Sequence, residues 1–162
     1  MIRIVKLREN RWPDFKSIRL ESLKQDPRAF GSSYEEEVKF TPDLWKSRIH
    51  NAVFAMSNDR PVGMITCLFS ERIKTRHIAD IVGVYVAPSF RGKGVGSKLL
   101  EHTIRLAKRK KGVIKLALGV NTEQKYAINL YKSAGFVIVG KARKHFKIGK
   151  DYFDMFYMEK FL

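Results

Sequence analysis

A glycine-rich segment, RGKGVG at residues 91–96, separates a strand pattern from a helix pattern and constrains the fold more than any other feature. The preceding HIADIVGVYVAP is rich in β-branched residues and ends at Pro88, which indicates a strand. The following residues place apolar side chains at helical spacing along one face, and this helix is expected to end at Gly112. A buried-type strand pattern, VIKLALGV, comes next. Strand, helix and strand in this order predict a parallel pair with a right-handed crossover.

The rest of the chain predicts antiparallel neighbours for that unit. The further patterns are a strand at 2–7, helices at 12–25 and 42–49, and hairpin turns at 57–60 and 149–151. The connector AFGSSYEEEVKF is expected to be irregular. We therefore predict one α/β (α+β) domain over residues 1–162, built on a mixed, mostly antiparallel sheet. The sheet should have six to seven strands, a central parallel pair and helices on both faces.

The charge balance favours anionic partners. The chain carries 32 Lys and Arg against 16 Asp and Glu, a formal net charge of +16. Such a balance attracts nucleic acid, a membrane surface, acidic proteins or a polyphosphate cofactor, although scattered lysines that only solvate the surface explain it equally well. No stretch resembles a signal peptide or a membrane span, so the expected location is the cytoplasm. Cys67 is the single cysteine, and the four histidines lack metal-ligand spacing, so neither a disulfide nor a metal site is expected.

The glycine spacing argues against two common nucleotide-binding motifs. A P-loop needs four residues between its first glycine and a Gly-Lys-Ser/Thr, and the chain has no such segment. The dinucleotide fingerprint needs Gly-x-Gly-x-x-Gly and a later acidic residue, whereas residues 92–96 read Gly-x-Gly-x-Gly and no matching acid follows. The spacing does suit a turn whose N–H groups converge on one point ahead of a helix N-terminus. That arrangement is a cradle for pyrophosphate.

Two motifs resemble those of the GCN5-related N-acetyltransferases. The first, Arg-x-x-Gly-x-Gly, is present as RGKGVG after the strand GVYVAP. The second is a strand end Val-Asn followed by Asn-x-x-Ala-x-x-Leu-Tyr-x-x-x-Gly-Phe, present as VN at 120–121 and QKYAINLYKSAGF at 124–136. Only Gln124 departs from this motif, and it keeps an amide where asparagine is usual. The resemblance covers nearly the whole chain and implies the GNAT fold, in which the central parallel pair is splayed.

The resemblance implies that acetyl-CoA, the acetyl donor, binds at the splay between residues 79–87 and 113–120. The strand backbone at Val84 and Val86 would pair with the pantetheine arm, and the N–H groups of the glycine segment would hold the pyrophosphate. The implied cofactor-binding residues are Val84, Tyr85, Val86, Arg91, Gly92, Lys93, Gly94, Val95, Gly96, Ser97, Asn121 and Gln124. Asn121 is also typical of a turn at a strand end, which is its structural alternative.

The resemblance assigns proton transfer only in part. Tyr131 would act as the general acid that protonates the departing thiolate, whereas packing against Phe136 is its structural alternative. Many relatives carry a glutamate in the first parallel strand to take the proton of the amine, and Val82 occupies that place here. The remaining candidates, each more typical of a surface or structural residue, are Asp80, His77, Glu35, Glu36 and Glu37. The general base therefore stays unassigned.

The sequence thus predicts an acyl-CoA-dependent N-acetyltransferase, in which a primary amine attacks acetyl-CoA directly in a ternary complex. The acceptor is a small-molecule amine or a protein amine, and the resemblance implies that residues 19–48 form its wall. The alternative is a basic nucleic-acid-binding or protein-binding module on a degenerate acetyltransferase fold. The basic runs at 105–112 and 141–150 do not favour it, because neither interleaves exposed aromatic residues. A homodimer is a further expectation, and the family resemblance is its only support.

Overall fold

A mixed sheet of seven strands runs through the computed structural model, which describes residues 1–162. The strands are β1 (Arg3–Val5), β2 (Ala52–Ser57), β3 (Arg60–Phe69), β4 (Ile78–Val86), β5 (Lys115–Asn121), β6 (Val137–Ile148) and β7 (Asp151–Phe161). Their order across the sheet is β1-β2-β3-β4-β5-β7-β6. Every neighbouring pair is antiparallel except β4 and β5. The predicted sheet with its central parallel pair is confirmed.

Five helices cover the two faces of this sheet. They are α1 (Trp12–Gln25), α2 (Tyr34–Glu37), α3 (Pro42–Ile49), α4 (Val95–Arg109) and α5 (Lys125–Ser133). Phe15 of α1 and Trp45 of α3 belong to one apolar core, and Leu99 of α4 belongs to the other. Successive side chains of a strand point to opposite faces, so β2 supplies Phe54 to the first core and Val53 to the second. None of the helices combines the length and the apolar character that crossing a bilayer requires.

Two local expectations were wrong. Helix α4 ends at Arg109 rather than at Gly112, and its last buried residue is Ala107, so no packing supports a further turn. The connector that was expected to be irregular contains the single-turn helix α2. The Ser33 hydroxyl accepts the Glu36 N–H at 3.3 Å, and the Glu36 carboxylate accepts the Ser33 N–H at 2.9 Å. This is a capping box, and its Ser-x-x-Glu spacing is the sequence signal for the turn.

A bulge divides β4 into two halves. Gly83 and Val84 of β4 lie opposite the single residue Ile65 of β3, and Gly83 has a left-handed backbone with φ of 62°. A bulge of this kind bends the strand and increases its twist. The pairing of β4 with β5 ends at Asp80 and Ala117, just before the bulge. Beyond this point β4 turns away from β5, and the parallel pair is splayed.

The end of α5 orients the residues that follow it. Gly135 has φ of 90°, and its N–H donates to the Lys132 carbonyl at 3.0 Å. The Phe136 N–H donates to the Tyr131 carbonyl, also at 3.0 Å. These two bonds form a Schellman motif, which needs a residue that tolerates the left-handed conformation. The glycine therefore ends the helix, as the sequence predicts, and leads the chain from Tyr131 into β6.

Candidate functional site

A cavity of about 760 Å³, the larger cavity, opens where β4 and β5 diverge. Its walls come from the second half of β4, the first turn of α4 and helix α5. A smaller cavity of about 380 Å³ lies on the side of α1 and α3. Both cavities are lined by Ala29, Ile81, Val82, Gly83 and Gly119. The two cavities therefore meet at the β4 bulge, and two ligands that enter from opposite sides can touch there.

The structure brings most of the predicted site residues together. The predicted residues that line the larger cavity are Val84, Tyr85, Val86, Arg91, Gly92, Gly94, Val95, Gly96, Ser97, Gln124 and Tyr131. Lys93 and Asn121 are absent from the lining. The Lys93 ammonium donates to the Ser89 carbonyl at 2.9 Å and is otherwise exposed.

The loop before α4 presents a row of unused hydrogen-bond donors. The backbone N–H groups of residues 92–97 donate no hydrogen bond within the chain, whereas Arg91 donates to Pro88 and Lys98 donates to Gly94. Gly92 and Gly94 have φ of 72° and 74°, and a Cβ atom at either position would meet nothing within 4 Å. The positive end of the α4 dipole lies at the same place. Unused N–H groups, open space and a helix N-terminus are together the features that suit a site for an anion.

Gly96 serves packing rather than backbone conformation. A Cβ atom there would approach Leu130 Cδ2 to 3.3 Å, and the φ of Gly96 is not positive. The absence of a side chain therefore lets α4 approach α5 closely on one side of the larger cavity. Arg91 supports the opposite wall, because its Nε donates to the Val86 carbonyl at 2.8 Å and its Nη2 forms an ion pair with Asp26.

The two predicted amide side chains differ in their surroundings. The Asn121 amide is buried and fully engaged: its nitrogen donates to the Arg28 carbonyl at 2.9 Å, and its oxygen accepts the Glu123 N–H at 3.0 Å. It thereby ties the end of β5 to the segment that contains Ala29, which lines both cavities. Gln124 precedes α5, and its side chain makes no hydrogen bond within the chain while lining the larger cavity.

Tyr131 presents a phenol to the larger cavity from inside the core. The residue is 6% exposed, packs edge-on against Phe136 at 5.9 Å between ring centroids, and has no hydrogen-bond partner within the chain. Burial raises the pKa of the Tyr131 hydroxyl well above its ordinary value. The phenol is therefore protonated at neutral pH and free to donate its proton.

None of the candidate bases lines either cavity. Burial raises the pKa of Asp80, and the charge of Lys115 offsets this effect in part. Val82, in the place where relatives carry glutamate, lies at the junction and is 41% exposed. The only carboxylate in the lining of either cavity is that of Asp26, which is paired with Arg91.

Glu37 is a structural anion rather than a base. It is fully buried, and its carboxylate accepts bonds from Arg19 Nε at 3.0 Å and Arg19 Nη2 at 2.7 Å. Arg48 Nη1 lies 3.6 Å from the same carboxylate. Burial acts to raise the pKa of Glu37, but the bonds and charges of the two arginines outweigh it, and the pKa lies below its ordinary value. Glu37 therefore stays ionised, and its carboxylate is occupied by the two arginines.

Sequence reasoning missed the bulge residue Gly83. A single glycine inside a β-branched strand pattern is the available signal, because it often marks a bulge. The pairing of Arg19 with Glu37, across 18 residues of sequence, has no comparable signal in a single chain.

Comparison with known proteins places these features in a family. Residues 6–136 match the family model described as Acetyltransferase (GNAT) family. The chain is 38% identical over 82 residues to an uncharacterized N-acetyltransferase of Methanocaldococcus jannaschii, a match that covers 49% of this chain and 35% of that protein. It is 30% identical over 122 residues to the L-amino acid N-acetyltransferase of Escherichia coli, covering 72% of this chain and 75% of that protein. It is also 29% identical to a peptidyl-lysine N-acetyltransferase of Salmonella typhimurium, over 76% and 72% of the two chains.

Solved structures agree with the family model at the level of the fold. An acetyltransferase of the GNAT family from Streptococcus pneumoniae superimposes with a TM-score of 0.89 at 22% identity, over 100% of both chains. A Salmonella typhimurium chain that was solved with its cofactor acetyl-CoA gives a TM-score of 0.83 at 18% identity, over 99% of this chain and 94% of that chain.

The unused N–H groups of residues 92–97, here called the anion cradle, generate a direct binding prediction. A carboxylate placed there should repel a pyrophosphate, so Gly94→Glu is expected to abolish the rise in melting temperature that acetyl-CoA causes in the unmodified chain. Gly149→Glu is the matched control, because Gly149 also has positive φ and open space but lies in the β6–β7 turn. Differential scanning fluorimetry with saturating acetyl-CoA measures both. Equal shifts in the two variants would contradict the assignment of the cradle.

Proposed function

The chain belongs to the acetyltransferase (GNAT) family, and from this premise we propose that it transfers the acetyl group of acetyl-CoA directly to a primary amine in a ternary complex. Residues 1–162 act as one acetyltransferase domain. The observation that carries the proposal is the row of unused N–H donors at residues 92–97, at one end of a cavity that opens beside an unpaired strand edge. Its location in the cytoplasm stays a prediction.

The residues of the larger cavity fit CoA along its length. The N–H groups of residues 92–97 receive the pyrophosphate, and the side chain of Gln124 is free to contact the cofactor. The edge of β4 that faces β5 has no strand partner beyond Asp80, so the backbone at Val84 and Val86 can pair with the amides of an extended pantetheine arm. The reactive end of CoA then lies at the bulge, where the smaller cavity begins.

Acetyl-CoA supplies an acetyl thioester, whose carbonyl carbon is open to attack by an amine. In the transfer a C–N bond forms, the C–S bond breaks, and the amine loses a proton. Tyr131 donates its phenolic proton to the departing thiolate, which leaves as the CoA thiol, and the phenolate regains a proton from solvent; the hydroxyl is positioned for this because it lines the cavity and has no partner within the chain. A backbone N–H of the bulged strand, such as that of Val84, stabilises the oxyanion as it develops.

No base in the cavity walls takes the proton of the amine. The lining of both cavities contains no histidine, and its one carboxylate, Asp26, is neutralised by Arg91. Arg19 and Arg48 line the smaller cavity, and their positive charges favour the neutral form of a nearby amine. The acceptor therefore reacts as the fraction that is already neutral, and its proton leaves to water.

The acceptor is a small-molecule amine or a protein amine. Relatives named for L-amino acids and for peptidyl-lysine are both similar to this chain, and these names alone do not separate the two classes. A homodimer stays a proposal that rests on the family resemblance.

Nucleic-acid binding is a second candidate, and one surface feature supports it. Tyr152 of β7 is exposed. The ammonium groups of Lys144 and Lys147 lie 5.5 and 5.8 Å from the centroid of the Tyr152 ring. Basic residues beside exposed aromatic rings form a surface on which bases can stack. Fluorescence anisotropy with single-stranded RNA at low salt tests this candidate, and the absence of binding there would exclude it.

The general-acid role of Tyr131 gives a mutational prediction. Tyr131→Phe removes only the hydroxyl, so we expect kcat to fall about 100-fold or more while acetyl-CoA still stabilises the protein. Tyr126→Phe is the control, because this residue of the same helix lines the cavity but is 94% exposed. Steady-state assays of CoA release measure kcat. Full activity in Tyr131→Phe would leave the tyrosine with a packing role only.

The missing base gives a prediction about pH. We expect kcat/KM to rise with pH in proportion to the neutral fraction of the acceptor and to level off near the pKa of the acceptor amine. Replacing the acceptor by one of lower amine pKa should move this bend to lower pH by the same amount. Initial rates with two or more acceptors across a pH series measure the bend. A bend at one pH for every acceptor would instead reveal a base on the enzyme.

A further inference from the structure

We propose that the acceptor is an α-amino acid with an apolar side chain, and that Arg19 and Arg48 bind its carboxylate in the smaller cavity. The proposal rests on the proposed acetyl transfer and names the class of amine that accepts the group. Four features of the smaller cavity carry it: its charge, the free donor of Arg19, the position of that donor and the apolar walls.

The charge of the smaller cavity is positive. Its lining contains two ionisable side chains, Arg19 and Arg48, and no carboxylate. The only anion that touches these arginines is Glu37, which is buried behind them. Two positive charges thus share one negative charge, and one positive charge is left to be neutralised. A positive charge at a cavity wall favours a ligand that brings an anion.

Arg19 has a donor that no group of the chain uses. The residue is 7% exposed, and its Nε and Nη2 are both bound to Glu37. The remaining Nη1 has no hydrogen-bond partner within the chain. The bond to Glu37 and the contact of the guanidinium with the Phe30 ring, 4.8 Å from its centroid, fix the direction of this nitrogen. A guanidinium that is held rigid loses little conformational freedom when it binds a carboxylate.

The free nitrogen of Arg19 points at the junction of the two cavities. A Cβ atom built on Gly83 would lie 3.6 Å from Arg19 Nη1 and 3.6 Å from Thr66 Oγ1. Both donors therefore lie beside the β4 bulge, where the thioester of acetyl-CoA is proposed to lie. In an α-amino acid the carboxylate and the amine are attached to the same carbon. A carboxylate held by Arg19 consequently keeps the amine within reach of the bulge.

The remaining walls contain the polar residues Ser32, Asn51 and Thr66 and an apolar part that suits an apolar side chain of moderate size. Phe15, Phe30, Met64, Leu68 and Phe146 line the smaller cavity, whose volume is about 380 Å³. Arg48 is partly exposed at this cavity, where it can close over the carboxylate.

The same features disfavour protein acceptors. A lysine side chain would bring a cation without an anion towards Arg19, and a peptide N-terminus has an uncharged amide where an amino acid has its carboxylate. Either would leave the positive charge that Glu37 does not neutralise without an anion from the acceptor.

The experiment compares each amino acid with matched amines that lack the carboxylate. Acetyl transfer from acetyl-CoA is measured for L-leucine, L-methionine and L-phenylalanine, for their amides, and for the corresponding decarboxylated amines. Rates are expressed per neutral amine, because the three classes differ in amine pKa. We expect kcat/KM of the best amino acid to exceed that of its amide and its amine by about 10- to 100-fold, the range for a hydrogen bond to a charged group.

Two variants assign the preference to the arginines. Arg48→Gln should raise KM for the amino acid and leave KM for the amide unchanged. The double change Arg19→Met with Glu37→Gln removes the buried pair together, and it should weaken the preference because only Arg48 is left to bind the carboxylate. Arg72→Gln, an exposed arginine without an ion pair, is the control. Circular dichroism and the melting shift with acetyl-CoA show that each variant is folded and binds the donor.

The outcomes separate this inference from the proposed function. Equal or better use of the amides or amines would overturn it, as would a chain that binds acetyl-CoA but acetylates only peptides or proteins. A preference that is undiminished in both variants would overturn the role of the arginines. Absence of acetyl-CoA binding and of any acetyl transfer would overturn the proposed function itself.

Discussion

The bulge at Gly83 is the constraint on which the site depends. Because two residues of β4 oppose one residue of β3, the strand bends and its pairing with β5 ends at Asp80. A cavity opens where a parallel ladder would otherwise continue, and the edge of β4 is left without a strand partner. Unpaired backbone groups in the interior of a protein are costly unless something else satisfies them. An extended ligand that pairs with this edge completes the sheet, which explains why a splayed pair is useful for binding a long cofactor.

Positive charge lies at the α4 end of the larger cavity and in the smaller cavity. At the α4 end the backbone N–H groups of residues 92–97 and the α4 dipole attract phosphate. In the smaller cavity Arg19 and Arg48 carry more positive charge than Glu37 neutralises, and Arg19 Nη1 lies beside the bulge. Between them the walls offer neutral groups, among them Val82 and the protonated phenol of Tyr131. This arrangement holds charged parts of two ligands apart and leaves an uncharged amine and a thioester to meet, in surroundings that do not stabilise an ammonium ion.

The sequence predicts those parts of the fold that depend on local patterns. The strand and helix periodicities, the glycine spacing and the motif around Tyr131 lie in continuous segments, so the parallel pair and the larger cavity could be anticipated. Side chains whose surroundings come from distant segments could not be. Asn121 is engaged by Arg28 across 93 residues, and Glu37 is held by Arg19 and Arg48 on two other helices. Such partners decide whether an amide or a carboxylate is free to act, and a single sequence does not encode them in any local pattern.

The central claim is that the unused N–H groups ahead of α4 bind the pyrophosphate of CoA in the cavity that the bulge opens. Backbone amide chemical shifts, followed by NMR in a ¹⁵N-labelled sample titrated with CoA, test this claim most directly. We predict that the largest changes fall on the amides of residues 92–97, with further changes at Val84 and Val86 along the edge of β4. Changes confined to another surface, such as the basic β6–β7 hairpin, with the amides of residues 92–97 unmoved, would contradict the account.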